Sequence, residues 1–199
     1  PLFVWMGEIL LRTKLSENLF EGLSPWMQKL PGGLIHVNVV GCAIFAAISG
    51  SSAATVATVG KMSIPELRKR NYPEKILLGS LAGSGTLGLL IPPSIILIIY
   101  GVTVQESIAK LFIAGIFPGI MIAIIFMTYV VIWSLMNKDK MPVLTEEIPF
   151  IEKIKKSGKL IPVILLIVSV IGSIYSGVAT ATEAAVSYTH LTLPTMYTV

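Results

Sequence analysis

The chain has 199 residues, of which 54% are hydrophobic and 13% charged, and its mean hydropathy is +0.81. This composition excludes an ordinary soluble domain and indicates an integral membrane protein with the lipid bilayer as a partner. The net charge of +4 comes from basic blocks between apolar segments, a pattern typical of topology signals, and it argues against nucleic-acid binding. With Cys42 as the single cysteine and no Cys/His cluster, neither a disulfide nor a metal cofactor is predicted.

The first 33 residues divide into an apolar start and an amphipathic stretch. Residues 1–12 lack a signal-peptide pattern and are expected to be the end of a scaffold helix that begins upstream. From Thr13 to Gly33, apolar residues recur at helical spacing among charged ones. This stretch is predicted to form a helix that lies along the membrane interface.

The next segment, residues 34–60, is apolar, rich in small residues and interrupted by the sequence Ser-Gly-Ser-Ser at 49–52. Basic residues lie on both sides of it, so the positive-inside rule puts both of its ends in the cytoplasm and predicts a re-entrant helical hairpin. Non-helical backbone at membrane depth survives only inside protein or beside a water-filled cavity, so the interruption marks a site. The alternative is close packing of small residues in an ordinary spanning helix.

A hydrophilic connector, residues 61–75, leads to a second interrupted segment, residues 76–102. Pro92 and Pro93 break this segment in its middle, because neither donates a backbone hydrogen bond and each clashes with the preceding turn. We therefore predict a discontinuous helix whose break faces the hairpin interruption and forms a pocket with it. The alternative is a purely structural kink.

Two uninterrupted spans are predicted at residues 110–136 and 160–178, since a bilayer core needs about 20 apolar residues. The charged connector between them, residues 137–159, and the earlier basic connector are both expected in the cytoplasm. Thr180 and Glu183 have the spacing of a capping box that opens a further helix, and we favour that role for Glu183 over binding substrate or a proton. Residues 186–199 resemble the in-frame translation of a sequencing adapter and are expected to be a non-native tail.

The candidate site consists of hydroxyl and carbonyl oxygens at the two breaks. Such oxygens are hard ligands that suit sodium, and helix N-termini attract an anionic substrate. The residues predicted to bind sodium or substrate are Ser49, Gly50, Ser51, Ser52, Pro92, Pro93, Ser94 and Asn38. For Asn38 and His36, a hydrogen bond between helices is the plainer interpretation. An intramembrane enzyme is disfavoured, because the chain has only two His and no evident catalytic pair.

Seven short motifs, in this order, resemble the large permease subunit of TRAP (tripartite ATP-independent periplasmic) transporters. They are Gly7-Glu8, His36-Val-Asn38, Phe45-Ala-Ala-Ile-Ser-Gly-Ser51, Ile91-Pro-Pro-Ser94, Ile98-Ile-Tyr-Gly101, Phe112-Ile-Ala-Gly-Ile-Phe-Pro-Gly119 and Thr182-Glu-Ala-Ala185. The resemblance runs from residue 1 to about residue 185. It implies an all-α, multi-span membrane protein, and this chain would hold the first half of an inverted-repeat elevator fold without the second hairpin.

The resemblance also implies a function. Proteins of this family import organic acids, such as C4-dicarboxylates or sialic acid, across the bacterial or archaeal inner membrane with a sodium gradient. The implied partners are a small membrane subunit and an extracytoplasmic solute-binding protein. On this resemblance, residues 49–52 correspond to a hairpin tip near a sodium site and residues 92–94 to the helix break. The alternative is a single-component ion or anion transporter of related architecture that works without a binding protein.

Overall fold

The computed structural model describes residues 15–142, 149–177 and 183, and within these ranges all regular structure is helical. An all-helical fold is thereby confirmed. The α-helices are α1 (Leu15–Met27), α2 (Ile35–Ser49), α3 (Ser52–Lys69), α4 (Glu74–Gly85), α5 (Ile95–Val104), α6 (Ile108–Met136), α7 (Phe150–Ser157) and α8 (Ile161–Tyr175). Short 3-10 helices follow α4 (Thr86–Leu89), α6 (Lys138–Lys140) and α7 (Gly158–Leu160).

Helices α2 and α3 form an antiparallel hairpin. Ser49 at the end of α2 bonds to Thr55 in the first turn of α3. Further back along α2, Gly41 faces Val59 of α3. The turn consists of Gly50, whose φ of +60° suits glycine, and Ser51, whose hydroxyl accepts from the amide of Ala54 at 3.5 Å. The hairpin is the centre of the fold, since α2 is buried along nearly its whole length.

Helix α4 packs against both arms of the hairpin, and small residues make this contact close. A methyl group at Gly85 would lie 1.9 Å from Cγ2 of Val56, and one at Gly60 would lie 2.9 Å from Cδ2 of Leu81. After α4 the chain tightens into a 3-10 turn, leaves helical geometry around a cis Pro92–Pro93 peptide bond, and resumes as α5 at Ile95. The segment from 76 to 104 is thus two helices separated by a break.

Two helical segments of the described residues are long and apolar enough to cross a membrane, Ile108–Met136 and Ile151–Tyr175. The first is α6, and the second joins α7, its 3-10 turn and α8. Their apolar side chains are largely exposed, as Phe117 at 77% and Leu165 at 65% illustrate. Long apolar helices with outward-facing apolar side chains are expected of a protein whose surroundings are lipid.

Helix α1 contacts protein on two sides. Leu19 and Leu23 are buried in the core, while Trp26 donates a hydrogen bond from Nε1 to Oγ of Ser157 in α7 at 2.7 Å. Lys159 and Glu21 form an ion pair that joins the same two regions. The amphipathic helix predicted within residues 13–33 is therefore anchored to the start of the last span.

The connectors are more helical than the sequence suggested. Helix α3 continues to Lys69, so that only residues 70–73 connect it to α4. Charged side chains do not end a helix: Arg70 pairs with Glu66 at 2.9 Å across one turn. Likewise, the connector predicted at 137–159 contains α7. Residues 1–14, Thr180 and the tail at 186–199 lie outside the described residues, so those predictions stay predictions.

Candidate functional site

The tip of the hairpin is a cluster of hydroxyl groups around one carbonyl. The carbonyl oxygen of Ser51 accepts from the amide of Thr55 at 3.0 Å and from its hydroxyl at 2.8 Å. The hydroxyl of Ser49 lies 2.8 Å from that of Thr55 and 3.3 Å from the same carbonyl. Ser49 and Thr55 are fully buried, so these oxygens are held in fixed positions away from bulk solvent.

The helix break lies directly against this tip. The amide of Ile95 donates to the carbonyl of Gly50 at 3.2 Å, and a methyl group at Gly50 would lie 2.6 Å from the carbonyl oxygen of Pro93. A methyl group at Gly88 would lie 2.9 Å from the amide nitrogen of Ser52. The structure thus brings residues 49–52 and 92–94 together through close backbone contacts that require glycine.

Two serine hydroxyls at the seam between tip and break differ in their bonding. Ser94 is buried and donates to the carbonyl of Leu89 at 2.7 Å, which closes the break on itself. The Oγ of Ser52 is buried and has no hydrogen-bond partner among the described residues. A buried hydroxyl without a partner lowers the stability of the fold unless a ligand or water bonds to it. Of the two serines at the seam, Ser52 is therefore the one whose hydroxyl is available to a ligand.

Neither residues 34–60 nor residues 86–104 contain an Asp, Glu, Lys or Arg, so these two segments contribute dipoles to the site and no formal charge. Helix α3 begins at the tip and α5 begins at the break, so two helix N-termini contribute partial positive charge. Helix α2 ends there with its last carbonyls, which contribute partial negative charge. A neutral site of this kind can hold a cation on oxygens and an anion on amides in adjacent positions.

Asn38 is not part of this arrangement. It lies eleven residues before Ser49 on α2, roughly 16 Å away at the rise of an α-helix. Its Nδ2 donates to the carbonyl of Leu77 at 3.3 Å and to Oγ of Ser80 at 3.1 Å, which ties α2 to α4. His36 similarly bonds through Nε2 to the carbonyl of Pro31 at 2.7 Å. The geometry of both residues matches the plainer interpretation, a structural hydrogen bond.

Sequence reasoning missed Thr55 and Gly88. Thr55 follows Ser51 by four residues, the spacing at which a hydroxyl bonds back to a carbonyl one helical turn earlier, and this signal was available. Gly88 stands in a glycine-rich run in which nothing distinguishes the glycine that touches the hairpin tip. Its role depends on a contact between segments more than 30 residues apart, which only the fold reveals.

Long apolar helices, combined with two helix interruptions that meet inside the protein, indicate a helical membrane protein. The match to known sequences makes this specific: the chain belongs to the family described as the tripartite ATP-independent periplasmic transporter, DctM component, which it matches over residues 1–196. The resemblance inferred from its motifs is thereby confirmed.

Individual relatives are named as permeases, not as enzymes. The chain is 37% identical over 185 residues to the C4-dicarboxylate TRAP transporter large permease protein DctM of Pseudomonas aeruginosa, covering 93% of this chain and 43% of the relative. It is 34% identical to the ectoine/5-hydroxyectoine large permease protein UehC of Ruegeria pomeroyi, covering 93% of this chain and 42% of the relative. It is 35% identical to the sialic acid TRAP transporter permease protein SiaT of Haemophilus influenzae, covering 94% of this chain and 30% of the relative. The chain therefore spans less than half the length of these relatives.

Proposed function

We propose that this chain is part of a permease subunit that imports an organic acid across the inner membrane, driven by a sodium gradient. The observation that carries the proposal is the contact between the hairpin tip and the helix break, joined by the bond from the Ile95 amide to the Gly50 carbonyl. Interrupted helices that meet in a membrane protein are the usual sites of substrate and coupling ion. The rest of the permease would supply the remaining part of the site.

Sodium is the cation that the tip suits. Its oxygens come from hydroxyls and carbonyls of Ser49, Ser51, Ser52 and Thr55, without a carboxylate that would favour a divalent ion. A weakly bound monovalent ion on neutral ligands can leave again, as a coupling ion must. In this proposal sodium is coordinated by the hydroxyl oxygen of Ser52, which otherwise has no partner among the described residues, and the ion stabilises the tip.

The substrate acid group is assigned to the N-termini of α3 and α5. The Ile95 amide bonds to the Gly50 carbonyl and the Ala54 amide to the Ser51 hydroxyl. The other first-turn amides have no partner within their helix, and the helix dipole favours a negative group there. Relatives are named for C4-dicarboxylate, ectoine, sialic acid and isethionate. We therefore assign an organic acid as the substrate class and leave selection of the particular acid to the binding protein.

The proposed topology puts both ends of the α2–α3 hairpin in the cytoplasm, because the basic residues Arg68, Lys69 and Arg70 end its second arm. The hairpin then enters the membrane without crossing it, and α6 and α8 cross it. The proposed partners are a small membrane subunit and an extracytoplasmic binding protein, as in the TRAP family.

The test is uptake of radiolabelled organic acids by the full-length permease in liposomes, with and without the small subunit and the binding protein. We expect uptake only with all components and an inward sodium gradient, and no requirement for ATP. Uptake by the permease alone would favour the single-component alternative. Equal uptake when potassium replaces sodium would contradict sodium coupling.

A further inference from the structure

A cavity of about 310 Å³ lies at the basic end of the fold, away from the hairpin tip. Three segments form its walls: the α1–α2 loop, the α3–α4 loop at Tyr72, and the C-terminal end of α6 with its following turn. Gly32 brings the first wall close to α6, since a methyl group there would lie 2.7 Å from Cγ1 of Val130. The lining includes Tyr72, Ser134, Leu135 and Lys138.

Two hydroxyl groups in the cavity have hydrogen-bonding capacity to spare. Ser134 is only 6% exposed, and its side chain makes no hydrogen bond with any described residue. Tyr72 is 4% exposed, and its hydroxyl oxygen accepts from the amide of Leu34 at 3.1 Å, which leaves its own proton available. Burial raises the pKa of Tyr72 above its ordinary value, so this hydroxyl keeps its proton and acts as a donor.

The charge in the lining is positive. Lys138 forms no ion pair with a described residue, and no carboxylate is among the described lining residues, although the exposed Asp139 follows in sequence. Lys140, two residues further on, bonds to Oδ1 of Asn137 at 3.2 Å and does not line the cavity. An ammonium group and two hydroxyl donors, with no carboxylate among the described residues of the lining, fit an anion.

An apolar track leads from the cavity along α6. Leu135 lines the cavity and is 50% exposed, and Ile132 one turn earlier is 53% exposed. Met136 beside them is 79% exposed. A ligand held at Lys138 could therefore extend an apolar portion along a helix that is itself a membrane span.

We propose that this cavity binds the phosphate headgroup of an anionic phospholipid, with Lys138, Ser134 and Tyr72 as donors and the acyl chains along Ile132 and Leu135. The site is separate from the proposed transport site and does not depend on it. By bridging the two loops and the end of α6, the bound lipid stabilises the contact between the hairpin base and the span. A free phosphate-bearing metabolite has the same anionic chemistry but lacks the chains.

The test is the thermal stability of the full-length permease in detergent, titrated with phosphatidylglycerol, phosphatidylcholine or glycerol 3-phosphate. We expect phosphatidylglycerol alone to raise Tm at low concentration. Lys138→Gln should weaken this response about 5-fold, given about 1 kcal/mol for a lysine at an anionic surface. Ser134→Ala should weaken it less, and Lys140→Gln is the matched control that should leave it unchanged.

Three results would overturn the proposal. One is an equal response to phosphatidylcholine, which carries no net charge. Another is an equal effect of Lys138→Gln and Lys140→Gln, which would indicate diffuse attraction to surface lysines in place of a site. The third is a full response to glycerol 3-phosphate, which would assign the cavity to a soluble anion. This experiment measures thermal stability and not sodium-driven uptake, so a negative result would contradict the lipid site without contradicting the proposed transport function.

Discussion

The amide of Ile95 donates a hydrogen bond to the carbonyl of Gly50, at 3.2 Å, and so joins the first residue of α5 to the turn of the α2–α3 hairpin. The two residues are 45 positions apart, and each stands where a helix is interrupted. Both groups would lack a helical partner at these positions, so each satisfies the other. This bond makes the two interruptions a single structural unit.

Gly50→Ala should disrupt that unit. The φ of +60° costs a residue with Cβ about 1–2 kcal/mol, and the added methyl would lie 2.6 Å from a backbone oxygen that has no rotamer to change. We expect a lower Tm and loss of uptake in the full-length permease. Gly79→Ala is the control, because a methyl there meets nothing within 4 Å. Wild-type uptake by the Gly50 variant would refute the described seam.

Ser49→Ala and Ser51→Ala should weaken sodium dependence. Each variant removes one of the oxygens at the hairpin tip, so the sodium concentration for half-maximal uptake should rise several-fold. Ser173→Ala removes a hydroxyl that donates within α8 and should have no such effect. An unchanged sodium dependence in both tip variants would rule out the proposed cation site.

Gly85→Ala tests the packing of α4 on the hairpin. Its methyl would lie 1.9 Å from Cγ2 of Val56, and such overpacking costs about 1–3 kcal/mol. Val56→Ala removes the obstructing methyl, so the double variant should recover much of the lost stability. Thermal unfolding of the four proteins measures the coupling. Additive losses would mean that these residues are not in contact.

Tyr72→Phe should loosen the base of the hairpin. The amide of Leu34 is buried and loses the oxygen that accepts from it, at a cost of about 1–3 kcal/mol. We expect a lower Tm at unchanged fold, measured against Tyr129→Phe, because Tyr129 is 57% exposed. If both variants lower Tm equally, the hydrogen bond between Tyr72 and the Leu34 amide does not contribute measurably to stability.

Cysteine labelling tests the topology. The native Cys42 is fully buried, so a membrane-impermeant maleimide should react only with introduced cysteines in this segment. Lys69→Cys should be labelled from the cytoplasm and Glu106→Cys from the opposite side. Both positions are exposed, so accessibility to the reagent is not limiting. The reverse pattern would invert the proposed orientation.

The sequence was sufficient for the helical class and the family, because hydropathy and motif order depend on local composition. The helix interruptions at 49–52 and 92–94 could also be predicted from the sequence, because glycine and proline change the backbone at their own positions. The limits of the helices were harder to predict. The charges of residues 61–69 indicate a connector, but these residues continue α3, because exposed charged residues such as lysine, arginine and glutamate are good helix formers.

Asn38 illustrates what the sequence could not decide. It is a polar residue in an apolar helix, and only the position of α4 gives its side chain partners at Leu77 and Ser80. The cavity near Lys138 also depends on the fold, since its walls come from three segments that are 39 and 62 positions apart in the sequence.

The absence of space around Gly50 and Gly88 has a kinetic consequence. A hairpin tip that swung open alone would strip the Ile95 amide and the Gly50 carbonyl of their partners in a water-poor setting. Small local fluctuations are therefore suppressed, and the Ile95 amide should exchange its hydrogen only when the whole α2–α5 block opens. Any motion that exposes this seam to one side of the membrane and then the other would carry tip and break together as one rigid body.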